Sequence, residues 1–282
     1  MIGSMLNAFQ SVILLMALTR ITNLYEAGLF TIAYANANLF LNIGYYGMHN
    51  YQVSDIKKQH TFKEYFIVRI LTSILMIFVS IIFVLFSSYI NNYSSEKSWI
   101  IFWMCILKLI DSIEDVFFAL YQQNHRLDIS GKCMSIRLCF TIIIFICGLI
   151  LFKKLLPTLI VSTISSALVS LIIINTTYSK FKIINDSANT KNILSLLKRC
   201  FPLFLGAFLS YYIGNAPKYA IDSTLSEELQ ACYGFIAMPV FIIGVLNGFI
   251  FNPVVAKLSL LWNEGDYKQF KKLLTKQFII VM

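Results

Sequence analysis

Apolar residues run through this chain in long unbroken blocks, separated by short polar interruptions rich in Gly, Pro, Asn and Lys. The blocks and their breakers predict helices over 3–19, 28–47, 65–90, 99–121, 133–152, 155–178, 196–216 and 229–256, with a ninth starting near Lys268. A helix needs about 20 predominantly apolar residues to cross a bilayer. The pattern therefore predicts an all-α, polytopic transmembrane bundle. The last run, QFIIVM, stops at Met282 after barely one turn of apolar sequence. The first block starts almost at Met1, without a basic lead-in. Both ends are expected to be incomplete.

Composition agrees with the pattern: 58% of the 282 residues are apolar and 13% charged, against about 25% charged in soluble domains. A soluble enzyme is excluded. The net charge of +9 raises nucleic acid as a partner, but the basic residues lie between apolar runs and gather on no soluble face. They read instead as topology signals. Seventeen of the 23 Lys and Arg flank alternate loops, among them Lys57, Lys58, Lys63, Arg126, Lys132, Lys180, Lys182, Lys191, Lys198, Lys257 and Lys268. Five flank the other loops, and Lys108 lies within a span. By the positive-inside rule the N-terminus is cytoplasmic, in a multi-pass protein of the cell membrane. The longest outer loop is expected between Pro217 and Glu228. The first span has no basic n-region or small-residue cleavage site, so it reads as an anchor. The six cysteines show neither CxxC nor a nearby His, which predicts free thiols, no zinc and no cofactor. His49, His60 and His125 fall in cytoplasmic loops with no ligand partner at a suitable spacing and are assigned no chemistry.

Two segments match in kind. TRITNLYEAGLFTIA and PKYAIDSTLSEELQACYGFIA each carry a cation at the outer end of a helix, a short acidic loop, then small residues and an aromatic. The alignment pairs Arg20 with Lys218, Gly28 with Ala231 and Phe30 with Tyr233. A period of six helices returns the chain to the same face, so the halves would be parallel lobes, as in transporters. The expected domains are a six-helix lobe over 1–178, a cytoplasmic linker over 179–195, and over 196–282 the start of a second lobe. Pro202, Pro217, Pro239 and Pro253, with Gly206, Gly214, Gly244 and Gly248, are expected to interrupt the seventh and eighth spans.

The fourth span, WIIFWMCILKLIDSIEDVFFALY, carries Lys108, Asp111, Glu114 and Asp115. Counting about 1.5 Å per residue from Trp99, Asp111 lies roughly 18 Å into a core about 30 Å thick. A charge there costs on the order of 2.5–3.5 kcal/mol and persists only beside water or a partner. Lys108, Asp111 and Asp115, three and four apart, share a face that should look into a cavity. On the functional reading Lys108 meets an anionic headgroup, and Asp111 or Asp115, with Glu114 beside them, binds a coupling ion. The alternative is that the charges pair with one another or line a lobe interface. Arg69 and Arg137, about one turn into their spans, read first as interface anchors and second as substrate-entry residues. Tyr45, Tyr46, Tyr211 and Tyr212 read as interface tyrosines, with sugar stacking as the alternative.

The string TRITNLYEAGLFTIAYANANLFLNIGYYGMHNYQVSD resembles the opening helix pair of bacterial polysaccharide flippases of the multidrug/oligosaccharidyl-lipid/polysaccharide exporter superfamily. RLDISGKCMSIR and GNAPKYAIDSTLSEELQACYGFIAMP look like the same group. The resemblance implies a twelve- or fourteen-helix protein of two six-helix lobes. It would move an undecaprenyl-pyrophosphate-linked oligosaccharide from inner to outer leaflet for capsule or lipopolysaccharide assembly. It would catalyse no covalent change and would work among membrane lipids, with a polysaccharide polymerase as partner. A cationic cavity in such flippases neutralises the pyrophosphate, and the resemblance carries that role to Arg20, Lys108, Arg137 and Lys218. Asp111, Glu114 and Asp115 keep a cation-coupled drug exporter open as an alternative. A membrane-embedded polymerase or acyltransferase is a third reading, weakened by short outer loops and by histidines outside the spans.

Overall fold

The computed structural model describes residues 2–55, 59–179, 181, 189–240, 242–243, 258, 261–262 and 265–281. Lys57, Lys58, Lys180, Lys182, Lys257, Pro253, Gly244 and Gly248 lie outside these, with residues 182–188 of the linker and most of the 237–256 stretch. Among the described residues all regular structure is helical. The helices are α1 (Ile2–Ile21), α2 (Leu24–Tyr45), α3 (Met48–Ser54), α4 (Phe62–Ile90), α5 (Ser95–Gln123), α6 (Leu127–Phe152), α7 (Leu155–Tyr178), α8 (Thr190–Thr224), α9 (Glu227–Ile236) and α10 (Tyr267–Val281). The chain forms two compact units, Met1–Gly234 and Phe235–Met282.

The long helices of the first unit run back and forth, so its two ends can be named by α1: the amino end where it starts and the far end where it stops. Short connections are written in local chemistry. Asn23 caps α2, its side chain accepting from the Glu26 amide at 2.9 Å. Tyr46 (φ 50°) and Gly47 (φ 64°) take the left-handed conformation that ends α2 and turns the chain into α3. Thr61 and Glu64 form a reciprocal capping box at the start of α4. Lys153 ends α6 in the same left-handed way as Tyr46.

Among the described residues, four helices are long and apolar enough to cross a membrane: α4, α6, α7 and α8. Their apolar side chains are outward, with Ile74, Phe78, Leu85 and Phe86 of α4 and Leu168, Leu171 and Ile172 of α7 all exposed. Such a surface is tolerable only in lipid. The polar helices are the central ones. α5 packs against α2, α3, α4, α6 and α7, and sixteen residues of α2 are buried. Cohesion in lipid comes from close packing and polar contacts between helices rather than from apolar burial. Small residues permit the close approaches: Gly44 sits where a Cβ would lie 2.6 Å from Ser112 Oγ, and Gly3 where one would lie 2.9 Å from the Gly131 carbonyl.

The structure corrects several expectations. α8 is one helix of 35 residues that continues through both Pro202 and Pro217. Each proline forfeits one N–H bond, a loss that a membrane helix tolerates. Most of the expected outer loop after Pro217 is therefore helix, and the connection to α9 is Leu225 and Ser226. Residues 48–54, expected as loop, form α3. In the second unit, Asp266 accepts from the Gln269 amide at the start of α10, and Trp262 meets the Tyr267 and Phe270 rings edge-on at 5.2 and 5.3 Å.

Candidate functional site

The site is built on α5, about 43 Å long at 1.5 Å per residue, with Asp111 just past its middle. Lys108, 2% exposed, donates to Asp111 Oδ2 at 2.9 Å, one turn along the same helix. Its remaining protons point at Gln10 Oε1 of α1 and the Tyr34 hydroxyl of α2, each 3.4 Å away, and the ammonium lies 4.8 Å from the Tyr34 ring centre. From α6, Arg137 donates to Asp111 Oδ1 at 2.5 Å. Its Nε approaches Glu114 Oε2 at 2.7 Å, an ion pair lying off the hydrogen-bond line, so that neither atom gains a directed partner. Ser166 of α7 receives the third guanidinium contact, at 3.4 Å, and is itself held by Thr141 at 3.0 Å. One carboxylate, Asp111, thus gathers two cations from two helices.

A second group lies four residues further along α5. Arg69 of α4, fully buried, donates to Asp115 Oδ2 at 2.5 Å and to the Gly44 carbonyl of α2 at 2.6 Å. Its guanidinium carbon stands 5.7 Å from the Tyr45 ring centre. Across Asp115, His49 of α3 places Nδ1 2.7 Å from Oδ1 and Nε2 3.3 Å from Gln122 Oε1. The bond to Asp115, its negative charge and Gln122 raise the His49 pKa above its ordinary 6.5, although burial, the largest influence, and Arg69 oppose them.

The structure therefore brings Lys108, Arg137, Asp111 and Glu114 into one cluster and leaves Arg20 and Lys218 outside it. Arg20 is exposed and Lys218 half-buried, and neither makes an ion pair among the described residues. Arg20 is one residue from the end of α1, whereas Lys218 is six from the end of α8. The α5 face expected to look into a cavity is closed by side chains of α1, α4 and α6. Arg69 and Arg137, expected first as interface anchors, turn inward and are 0% and 3% exposed. His49, assigned no chemistry, faces a carboxylate 66 residues away, and His60 lies 3.5 Å from Glu64, four residues on. Tyr46 stacks on Phe204, and Tyr212 on Tyr219.

A family of polysaccharide biosynthesis proteins has a model that matches residues 1–259. The chain belongs to that family. Neither a curated protein nor a solved structure matches it. In this polysaccharide biosynthesis protein a further cluster, invisible in sequence, closes the far end of the first unit. Lys97, at the start of α5, bridges Asp222 of α8 at 2.6 Å and Glu227 of α9 at 2.7 Å. The Tyr93 hydroxyl donates to Asp222, and the Lys97 ammonium lies 4.2 Å from the Tyr93 ring centre. Burial and the Asp222 charge hold the Tyr93 phenol above its usual range. Beside the cluster, Gly28 of α2 packs so tightly on α9 that a Cβ would sit 1.9 Å from the Glu227 carbonyl oxygen. Only the positions 125 and 130 residues after Lys97 complete it, and no local spacing signals such a partner.

Proposed function

We propose that this multi-pass membrane protein is a flippase that moves undecaprenyl-pyrophosphate-linked oligosaccharide from the inner to the outer leaflet. The observation that carries the reading is the buried cluster of Lys108, Arg137, Asp111 and Glu114 at mid-depth of the central helix, in a member of a polysaccharide biosynthesis family. Intramembrane charges are costly and mark transport paths by default. Lys108 and Arg137 can exchange carboxylate partners for the oxygens of a pyrophosphate, which offers the same charge and, to Arg, a forked acceptor. Arg20 and Lys218 supply cations that need give up no ion pair among the described residues. Asp111, Glu114 and Asp115, released from their cations when cargo arrives, take up the coupling ion. The catalysed change is one of position, so no cofactor and no covalent chemistry enter the cycle.

In this reading the N-terminus is cytoplasmic, residues 1–178 form the first lobe, 179–195 the linker and 196–282 the start of a parallel second lobe. A polysaccharide polymerase receives the product on the outer face. The drug-exporter alternative needs carboxylates open to a cationic cargo, and here Asp111, Glu114 and Asp115 are each held by an arginine, a lysine or both.

The test uses cells lacking the gene, in which the leaflet holding single lipid-linked oligosaccharide units is determined. Accumulation in the inner leaflet, relieved by the restored gene and not by a Lys108→Ala version, supports the flippase. Units stranded unpolymerised on the outer leaflet point to a polymerase, and drug sensitivity without accumulation to an exporter.

A further inference from the structure

We propose that His49 is a proton-binding site that sets the net charge of the buried α5 network, with Asp115 and Gln122 as its two acceptors. A neutral imidazole donates from one ring nitrogen only, whereas an imidazolium donates from both. His49 presents Nδ1 to a carboxylate oxygen at 2.7 Å and Nε2 to an amide oxygen at 3.3 Å. With Gln122 Oε1 facing the ring, only the protonated imidazole satisfies both acceptors.

Among the described residues, the groups packed around this histidine come from three helices. From α5, Asp115 favours the proton. From α4, Arg69 opposes it and shares the same carboxylate through the other oxygen. From α8, Arg199 donates to Tyr51, two residues along α3, at 3.0 Å, and the Cys200 thiol lies in the field of Arg69. The favourable contacts raise the proton affinity of His49 despite burial and Arg69.

The consequence follows from counting charges. With Asp111, Glu114 and Asp115 all ionised, Lys108, Arg69 and Arg137 balance them, so the network is neutral while His49 is neutral. One proton on His49 makes it cationic by one charge. A buried network that gains a positive charge favours an anion and, on losing it, releases one. Arg69 is the lever, since an imidazolium on Asp115 competes with the guanidinium for the same carboxylate. The link to a pyrophosphate cargo rests on the flippase reading; the proton site does not.

The experiment is a pH titration of the three histidine ring signals by NMR, on histidine-labelled protein in lipid nanodiscs, with His49→Gln identifying its resonance. The His49 midpoint is expected above 6.5, the ordinary value. Gln122→Glu should move it up and Gln122→Leu should move it down. Both variants leave Asp115 as the partner of Arg69, unlike Asp115→Asn, which confounds titration with loss of the buried arginine's partner. A midpoint at or below 6.5, or one unmoved by both Gln122 variants, overturns the proposal. None of these signals depends on what the protein carries, so a failed transport assay leaves the result standing.

Discussion

Among the described residues of the first unit, two buried charge clusters share similar chemistry and follow different logic. In the middle of α5, three cations meet three carboxylates, and every carboxylate comes from one helix. At the far end a single lysine meets two carboxylates from α8 and α9, with a tyrosine in support. The first cluster binds the periphery to a central helix and is balanced. The second ties the start of α5 to two helices at the other end of the sequence and keeps one negative charge in excess. Balance suits a scaffold whose charges sit far from water; imbalance suits a position near the end of the bundle, where water can compensate. Arg20 and Lys218 belong to neither cluster, which leaves them for other partners.

Breaking the balanced cluster should have the largest effect. Arg137→Met strips Asp111 of one cation and Glu114 of its ion pair, and removing one partner of a buried pair costs about 3–5 kcal/mol. Thermal unfolding in detergent should show a large drop in Tm, and an unchanged Tm would mean that the pairs do not hold the bundle. The far-end cluster should be weaker, because Glu227 is one-fifth exposed. Lys97→Met should cost about 2 kcal/mol, the range of a hydrogen bond to a charged group. A loss equal to that of Arg137→Met would erase the distinction between the clusters.

Gly28→Ala probes the same end without touching a charge. The added methyl meets the Glu227 backbone, and overpacking of this kind costs about 1–3 kcal/mol. It should loosen α9 and raise the reactivity of Cys232, five residues past Glu227, towards a water-soluble maleimide. The smallest effect is a pH dependence. The folded-state pKa of His49 is raised, so its contribution to stability is whole below 6.5 and is lost as pH rises through the raised value. A Tm series against pH should slope downwards across that window, and His49→Gln should flatten it.

Much of this was legible in the chain. The 155–178 span coincides with α7, and the charged face of α5 stands out because ionisable residues are rare in apolar runs. The equality of three intramembrane cations and three carboxylates was also available, as a hint that Arg69 and Arg137 turn inward. Other features were hidden for physical reasons. α3 is seven residues of mixed polarity, too short for a hydrophobic window to register. Pro217 looked like a terminator, yet the helix around it has enough other bonds to continue. The TFKE string at 61–64 carried a capping box that places the start of α4 three residues before the apolar run. The partners of Lys97 and His49 lie 66 to 130 residues away, and only the packing of α3, α5, α8 and α9 brings them together.

The proposal that a cation with no ion pair among the described residues meets cargo, beside Lys108 and Arg137, is tested most directly by Lys218→Gln. The protein is placed in vesicles with a fluorescent polyprenyl pyrophosphate, and the initial flipping rate is compared at matched amounts of folded protein. Losing one contact between a charged donor and a phosphate oxygen should lower the rate about tenfold, with Tm within a degree or two of the parent. An unchanged flipping rate, or a fall explained by unfolding, would contradict that role for Lys218.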